Sequence, residues 1–264
     1  SFYGELSYQL YMMKDWPYMI LTDGNSHNLA LNFQLSRSSI DNPIYTRRGS
    51  QFTIGLKITP PYSLIRGTTD AQYAQMSTTE KYNLLEYHKW RFSGKVFTPL
   101  TADSKLVLMA RADFGYLGHY NKNVKSPFES FYMGGDGMSS YSSYSTEYIS
   151  MRGYQSGSLT PYDPATGRNM GYVYNKFTME LRYPIALEQN ATIWALAFLE
   201  AGNCFADIKD YNPFNLKRSA GVGVRLFLPM FGLMGIDWGW RFDPINGSNQ
   251  YGGSQFHFVL GQEL

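Results

Sequence analysis

The chain has 264 residues and a formal net charge of +2, with 17% aromatic and 17% charged residues. This balance gives no indication of nucleic-acid binding, and the single cysteine, Cys204, excludes an internal disulfide. No stretch approaches the roughly 18 apolar residues that a membrane-spanning helix needs. The mean hydropathy of −0.33 is still compatible with membrane strands, because a barrel strand presents one face to lipid and the other to water.

Apolar and polar residues alternate at every second position along much of the chain, which predicts β-strands. Residues 28–35 read NLALNFQL, and residues 176–183 read KFTMELRY. The ten predicted strands lie near residues 3–13, 26–36, 50–59, 82–97, 104–117, 171–184, 191–202, 217–228, 232–242 and 254–264. Most are about 10 residues long, as a tilted membrane strand requires.

A soluble β-sandwich would alternate in the same way, but two features favour a membrane protein. The apolar face of the strands is nearly unbroken, and its ends carry Tyr and Trp, as the aromatic girdle of an outer-membrane barrel does. We therefore predict an all-β fold, an antiparallel transmembrane β-barrel. The short connections near 98–103, 185–190 and 229–231 are predicted to be periplasmic, and the longer ones near 60–81, 118–170 and 203–216 external.

The connection 118–170 is much longer than ordinary loops, and long loops in compact folds are usually functional. It contains SPFESFYMGGDG at 126–137 and MRGYQSGSL at 151–159. The pair Gly134–Gly135 permits backbone conformations closed to other residues. Inside a barrel the guanidinium of Arg152 would need a carboxylate partner.

These two segments resemble the long sixth-loop signature of the outer-membrane assembly proteins typified by BamA, in which P-F-x-x-F-Y-x-G-G is followed by x-R-G-[FY]. The residues that carry the resemblance are Pro127, Phe128, Phe131, Tyr132, Gly134, Gly135, Met151, Arg152, Gly153 and Tyr154. Three further segments resemble strands of the same family, namely 42–56, 198–205 and 218–240. The chain departs from the family pattern in three ways. About 15 residues separate the two halves of the motif, where the short-loop form has only a few. Met151 stands where Val is commoner, and the last residue is Leu264, where an aromatic residue is common.

The resemblance covers essentially the whole chain and implies that 1–264 is the C-terminal ten strands of a sixteen-stranded barrel. Six N-terminal strands and the periplasmic POTRA domains would then be absent from this sequence. By parity Glu200 and Asp237 face inward on neighbouring strands, and the resemblance implies that they meet Arg152. The other inward charges, among them Glu180, are expected to be ordinary lumen charges.

The function implied by the resemblance is to fold and insert β-barrel proteins into the bacterial outer membrane, through a lateral seam between the first and last strands. Nascent outer-membrane proteins would be the clients, and accessory periplasmic lipoproteins and outer-membrane lipid would be the partners, with no nucleic acid. The seam strand would be 254–264, whose residues of interest are Phe256, Phe258, Leu260, Gly261 and Leu264. Gly261 is expected to weaken or kink the pairing there.

Three alternatives remain open: a related translocation or assembly barrel of the TamA type, a passive outer-membrane channel, and a barrel enzyme. An enzyme would need a catalytic constellation at the rim of the barrel. The four histidines, His27, His88, His119 and His257, lie in no catalytic motif, and no metal-ligand spacing occurs. We therefore predict no catalytic residue, no metal and no cofactor.

Overall fold

The computed structural model describes residues 1–15, 20–138, 146–164 and 167–261, and β-strands account for most of its regular structure. The strands in chain order are β1 (Phe2–Met13), β2 (Gly24–Ser38), β3 (Gly49–Ile58), β4 (His88–Pro99), β5 (Val107–Gly118), β6 (Ser130–Met133), β7 (Thr146–Ile149), β8 (Tyr162–Asp163), β9 (Arg168–Asn169), β10 (Val173–Leu187), β11 (Thr192–Phe205), β12 (Lys217–Leu228), β13 (Gly232–Arg241) and β14 (Ser254–Leu260). The helical segments are α1 (Tyr62–Arg66), α2 (Asp70–Gln75), α3 (Thr78–Lys81) and the 3-10 turn Ile208–Asp210. None of these described helices has the length and apolar character to cross a membrane.

Ten long strands form one antiparallel sheet in the order β1-β2-β3-β4-β5-β10-β11-β12-β13-β14. Each strand pairs with the next long strand of the chain, and among the described residues only the connection between β5 and β10 contains further strands, β6 to β9. Within the described residues, β1 and β14 form the two edges of the sheet. The predicted all-β antiparallel fold with ten strands is confirmed.

The sheet has a polar inner face and an apolar outer face. On β10, Lys176, Glu180 and Arg182 point inward and are buried, whereas Met179 and Leu181 point outward and are exposed. A soluble sandwich would bury the apolar face instead. Burial of charge inside and exposure of large apolar side chains outside is the arrangement expected of strands whose outer face contacts lipid.

The strand predicted at 82–97 is wrong in its first part, because β4 begins only at His88. A capping box between Ser77 and Glu80 starts helix α3 just upstream. Between α3 and β4 the chain runs beside the start of β2, where the N–H of Leu85 donates to His27 O at 3.0 Å. Leu85 and Tyr87 are thereby buried in the interior instead of lying on the sheet.

The connection between β5 and β10 folds back against the inner face of the sheet. Its short strands β6 and β7 pair in parallel, and its apolar side chains form the centre of a buried cluster. The cluster includes Phe128, Phe131, Met133, Ile149, Met151, Tyr154 and Leu159 together with Tyr174 and Cys204 of the sheet. The long loop is therefore the core of this fold, and the sheet surrounds it.

Candidate functional site

The backbone brings the two halves of the loop motif together. Gly135 and Met151 exchange two hydrogen bonds, with N···O distances of 3.1 and 2.9 Å, and the N–H of Gly134 donates to Ile149 O at 3.0 Å. Gly134 and Gly135 have φ angles of +125° and +78°, which other residues adopt only with strain. The separation of the two halves in sequence does not prevent them from forming one structural unit.

The aromatic residues of the motif hold the loop against the sheet. Phe131 is buried and packs edge-on against Tyr174 of β10, with 4.7 Å between ring centroids. Phe128 is also buried, and Pro127 and Tyr132 are half-buried. Aromatic packing of this kind stabilises the loop on the sheet independently of its ion pairs.

Arg152 is completely buried and contacts three carboxylates of the inner face. Its Nε and Nη2 donate to Glu200 Oε1 at 3.0 and 2.8 Å, and its own backbone N–H donates to Glu200 Oε2 at 2.8 Å. Nη2 also donates to Glu180 Oε1 at 2.7 Å, and Nη1 lies 3.5 Å from Asp237 Oδ2. The guanidinium carbon is 3.7 Å from the ring centroid of Phe198, which adds a cation–π contact.

Three more cations of the inner face complete what we call the arginine cluster. Lys176 Nζ is 3.1 Å from Glu200 Oε1, and Arg182 Nη2 is 2.7 Å from Glu180 Oε2. Nη1 and Nη2 of Arg225 donate to Asp237 Oδ1 and Oδ2, each at 2.7 Å. The members of the arginine cluster are Arg152, Lys176, Glu180, Arg182, Glu200, Arg225 and Asp237. All are buried, so each charge depends on its neighbours instead of on water.

Electrostatics keep the loop arginine charged despite its burial. Desolvation disfavours the charged guanidinium, but Glu200, Glu180 and Asp237 outweigh that effect and raise the pKa of Arg152 above its ordinary value. The contact is therefore an ionic one at any physiological pH.

The residues that follow Arg152 fix the loop tip on the last three strands. The N–H of Gly153 donates to His257 Nε2 of β14 at 2.7 Å, and the hydroxyl of Tyr154 donates to Arg218 O of β12 at 2.9 Å. Gly153 has a φ of +83°. A Cβ on Gly239 of β13 would lie 2.6 Å from Gly153 N, so the loop approaches the sheet as closely as two glycines permit.

On the other side of the lumen, the loop supplies carboxylates and the sheet supplies cations. Glu129 pairs with Lys57 of β3 and, at 2.9 Å, with Lys89 of β4. Glu147 pairs with the same Lys89 at 2.8 Å and with Arg91. We call these five residues the glutamate cluster. Burial disfavours the charged form of Glu129, but Lys89 and Lys57 outweigh it and hold the pKa of that carboxyl at about 2.

A cavity of about 730 Å³ lies between the loop and the inner faces of the strands. Its lining includes Lys89, Arg91 and Glu147 of the glutamate cluster and reaches Phe258 and Leu260 of β14. Within the ranges that the structure describes, no group of His, Cys, Asp or Glu side chains is arranged to hold a metal ion.

Strand β14, which the resemblance predicts to be the seam strand, has its side chains arranged as the alternation predicts. Phe256, Phe258 and Leu260 are exposed on the outer face, and His257 is buried on the inner face. Gly261 has a φ of +79° and follows the last strand residue, although its N–H still donates to Leu233 O at 2.7 Å. Leu264 lies outside the described residues.

Sequence reasoning missed two parts of this site. Glu180 was expected to be an ordinary lumen charge, yet it contacts Arg152 directly. The sequence did contain a signal, because the alternation places Glu180 on the inner face of β10. In the pairing of β10 with β11, Thr178, two residues before Glu180, lies opposite Glu200. Glu200 and Asp237 are not on neighbouring strands, since β12 lies between them. In the glutamate cluster the register of β3 and β4 places Lys57 opposite Lys89, but nothing in the sequence indicated that Glu129 would meet them, because that contact depends on the folding of the loop.

Comparison with known proteins agrees with this architecture. The Omp85 superfamily domain matches residues 4–264. Among solved structures, the chain is similar to the crystal structure of BamA from Haemophilus ducreyi lacking POTRA domains 1–3, with a TM-score of 0.60 and 15% sequence identity. The match covers 98% of this chain and 51% of that one, so the chain spans about half the length of that structure. At this identity the likeness shows the fold. No curated protein matches the sequence significantly.

Proposed function

The chain belongs to the Omp85 superfamily, and from that premise we propose that it is the C-terminal part of a barrel that folds and inserts other β-barrel proteins into the bacterial outer membrane. Its clients are nascent outer-membrane proteins, and its further partners are accessory periplasmic lipoproteins and the surrounding lipid. In this proposal the ten strands are completed by six upstream strands and POTRA domains.

The observation that carries the proposal is the position of β14 at the edge of the sheet. Among the described residues β14 has a strand partner on one side only, β13, and in the completed barrel of this proposal its other side would meet the first of the upstream strands across the seam. An unpaired strand edge is a template on which another strand can form hydrogen bonds. A client strand that pairs with β14 would gain backbone hydrogen bonds in a place where no water competes for them.

The register of β14 defines which groups it offers to such a strand. Gly261 donates to Leu233 O, so the residues at odd positions of β14 bond to β13. The backbone N–H and C=O groups of Phe256, Phe258 and Leu260 therefore point to the free edge. Their side chains lie on the outer, apolar face, where a client strand would add its own apolar residues.

In this proposal the arginine cluster stabilises the strands next to β14. It ties β10, β11, β12 and β13 to the loop by buried ion pairs. The wall next to β14 is thereby rigid, which allows a client to be guided by an edge of fixed geometry. We propose this supporting role for Arg152, Glu180, Glu200 and Asp237, and a pairing role for Phe256, Phe258 and Leu260. Gly261, whose N–H donates to β13, and Leu264 would form the end of the seam strand.

The proposal is tested by removing one edge donor from the full-length protein in proteoliposomes. Phe256→Pro deletes an N–H that faces the free edge and leaves the bonds between β14 and β13 in place, since proline is tolerated on edge strands. The matched control, Phe256→Leu, keeps that N–H. We expect Phe256→Pro to lower the rate of client insertion, measured by the heat-modifiable mobility of the folded client, and Phe256→Leu to insert at the wild-type rate.

Equal insertion by the two variants would contradict the proposal. A passive channel would instead give ion conductance in planar bilayers with no insertion activity by the wild-type protein. A TamA-type barrel would share the edge, and the number of POTRA domains upstream would distinguish it.

A further inference from the structure

The loop reaches the free edge of β14 through Asp136, the residue that follows Gly134 and Gly135. Its Oδ2 accepts a hydrogen bond from the backbone N–H of Phe258 at 3.0 Å. Its Oδ1 accepts one from the N–H of Met138 at 3.0 Å, which orients the carboxylate. Only 11% of the Asp136 side chain is exposed, although the bond itself lies at the exposed edge of the sheet.

The N–H of Phe258 is one of the groups that an added strand would use. It lies in the middle of β14, on the side opposite β13. Asp136 therefore occupies the position in which a backbone carbonyl of an incoming strand would accept the same proton. A carboxylate bond is stronger than the carbonyl bond that would replace it, so the loop competes effectively for this single place.

A histidine links this contact to the tip of the loop. His257 Nε2 accepts the proton of the Gly153 N–H at 2.7 Å, so in the neutral ring Nδ1 carries the hydrogen. Nδ1 lies 3.8 Å from Asp136 Oδ2 and faces it. Two neighbouring residues of β14, His257 and Phe258, are therefore held by two separate parts of the loop.

We propose that Asp136 is a latch on the seam strand, which must leave the N–H of Phe258 before another strand can pair along the length of β14. This inference rests on the proposed function, since the incoming strand is its client. A client first pairs at the ends of β14 and displaces Asp136 only when several backbone bonds have formed. The latch thereby occupies one donor of the seam edge until a strand pairs along it, which limits random pairing of that edge.

Hydrogen–deuterium exchange of the full-length wild-type protein and its variants tests the latch without a client. We expect Asp136→Ala to accelerate exchange of the Phe258 amide about tenfold, because a hydrogen bond to a charged acceptor is lost. Asp136→Asn keeps an acceptor without the charge and should give a smaller acceleration, and it replaces the alanine variant if that one does not fold. The control is Asp70→Asn, which removes a carboxylate of helix α2 whose partners are Lys122 and Asn123; it should leave the amide unchanged.

Client insertion by the same variants separates this proposal from the proposed function. The latch predicts faster insertion by Asp136→Ala than by wild type and by Asp70→Asn. Unchanged exchange at Phe258 would overturn the latch, as would faster exchange with no gain in the insertion rate of an active protein. Failure of the wild-type protein to insert any client would overturn the proposed function instead, whatever the exchange at Phe258.

Discussion

The loop is held on its two sides by ion pairs of opposite polarity and unequal burial. In the arginine cluster the loop supplies the cation, and both Arg152 and Glu200 have side chains that are 0% exposed. In the glutamate cluster the loop supplies the anions, and the exposed fractions of Glu129, Glu147 and Arg91 are 18%, 22% and 51%. The first contact is sealed inside the protein, and the second borders the cavity.

This difference decides how each contact responds to damage. A buried ion pair that loses one partner leaves a charge that no water can solvate, whereas a pair that borders water is partly compensated. The arginine cluster therefore behaves as a unit, and the glutamate cluster can lose one member with a smaller loss of stability. We expect the loop to detach first from the side of β3 and β4.

The largest effect is expected from Arg152→Ala, which leaves Glu180 and Glu200 without their central partner. We expect the free energy of unfolding to fall by about 3–5 kcal/mol, the range for a broken buried pair. Urea unfolding of the full-length protein in detergent, followed by heat-modifiable mobility, measures it. Arg152→Lys keeps the positive charge but lacks the planar set of guanidinium donors. It should therefore lower the free energy of unfolding by less than Arg152→Ala does, and still leave it below that of wild type. A loss no larger than that of Glu129→Gln would refute the distinction between the two clusters.

A smaller effect is expected from Glu129→Gln. Lys57 and Lys89 lose a carboxylate, but Lys89 keeps Glu147 at 2.8 Å. We expect a loss of about 1–3 kcal/mol, as for a hydrogen-bonded group left unpaired. The double variant Glu129→Gln/Glu147→Gln should lose more than the sum of the two single variants, because Lys89 would then be buried with neither carboxylate. Additive losses would mean that the two carboxylates do not share Lys89.

The smallest effect is expected from acid. The pKa of Glu129 is lowered from an ordinary value of 4.5 to about 2, so its contribution is complete above pH 4.5 and is lost as the pH falls through 2. The difference in unfolding free energy between wild type and Glu129→Gln should therefore persist at pH 4 and shrink as the pH approaches 2. Unfolding curves over this range measure it. A difference that already vanishes at pH 4 would contradict the role of Lys57 and Lys89.

Local pattern predicts this fold well because the strands alternate strictly. The sheet strands begin and end within a few residues of the predicted bounds, except where the helix that starts at Ser77 delays β4. That capping box, with Glu80 at its third helical position, was visible in the sequence, and its physical meaning is local. In this segment the helix start at Ser77 outweighs the apolar alternation that follows it.

The candidate site also contains contacts that the sequence predicts and contacts that it does not. Arg152, Glu200 and Asp237 could be named from motif and parity, because a buried arginine must find carboxylates and parity says which ones face inward. The pairing of Asp136 with Phe258 could not, since it depends on where a loop crosses an edge strand that lies far away in sequence. The same holds for Lys57 and Glu129. Side chains on regular strands follow their period, whereas loop contacts follow the whole fold.

Because the outer face of the sheet is apolar, the detergent or lipid around the protein takes part in its folding equilibrium. Trp238, Ile236 and Leu181 are exposed there, and none of the described residues covers them. Their transfer from water is completed only by hydrocarbon, at about 25 cal/mol per Å². The folding equilibrium of this chain therefore depends on which detergent or lipid accompanies it, and a stability measured in one amphiphile describes the pair and not the polypeptide alone.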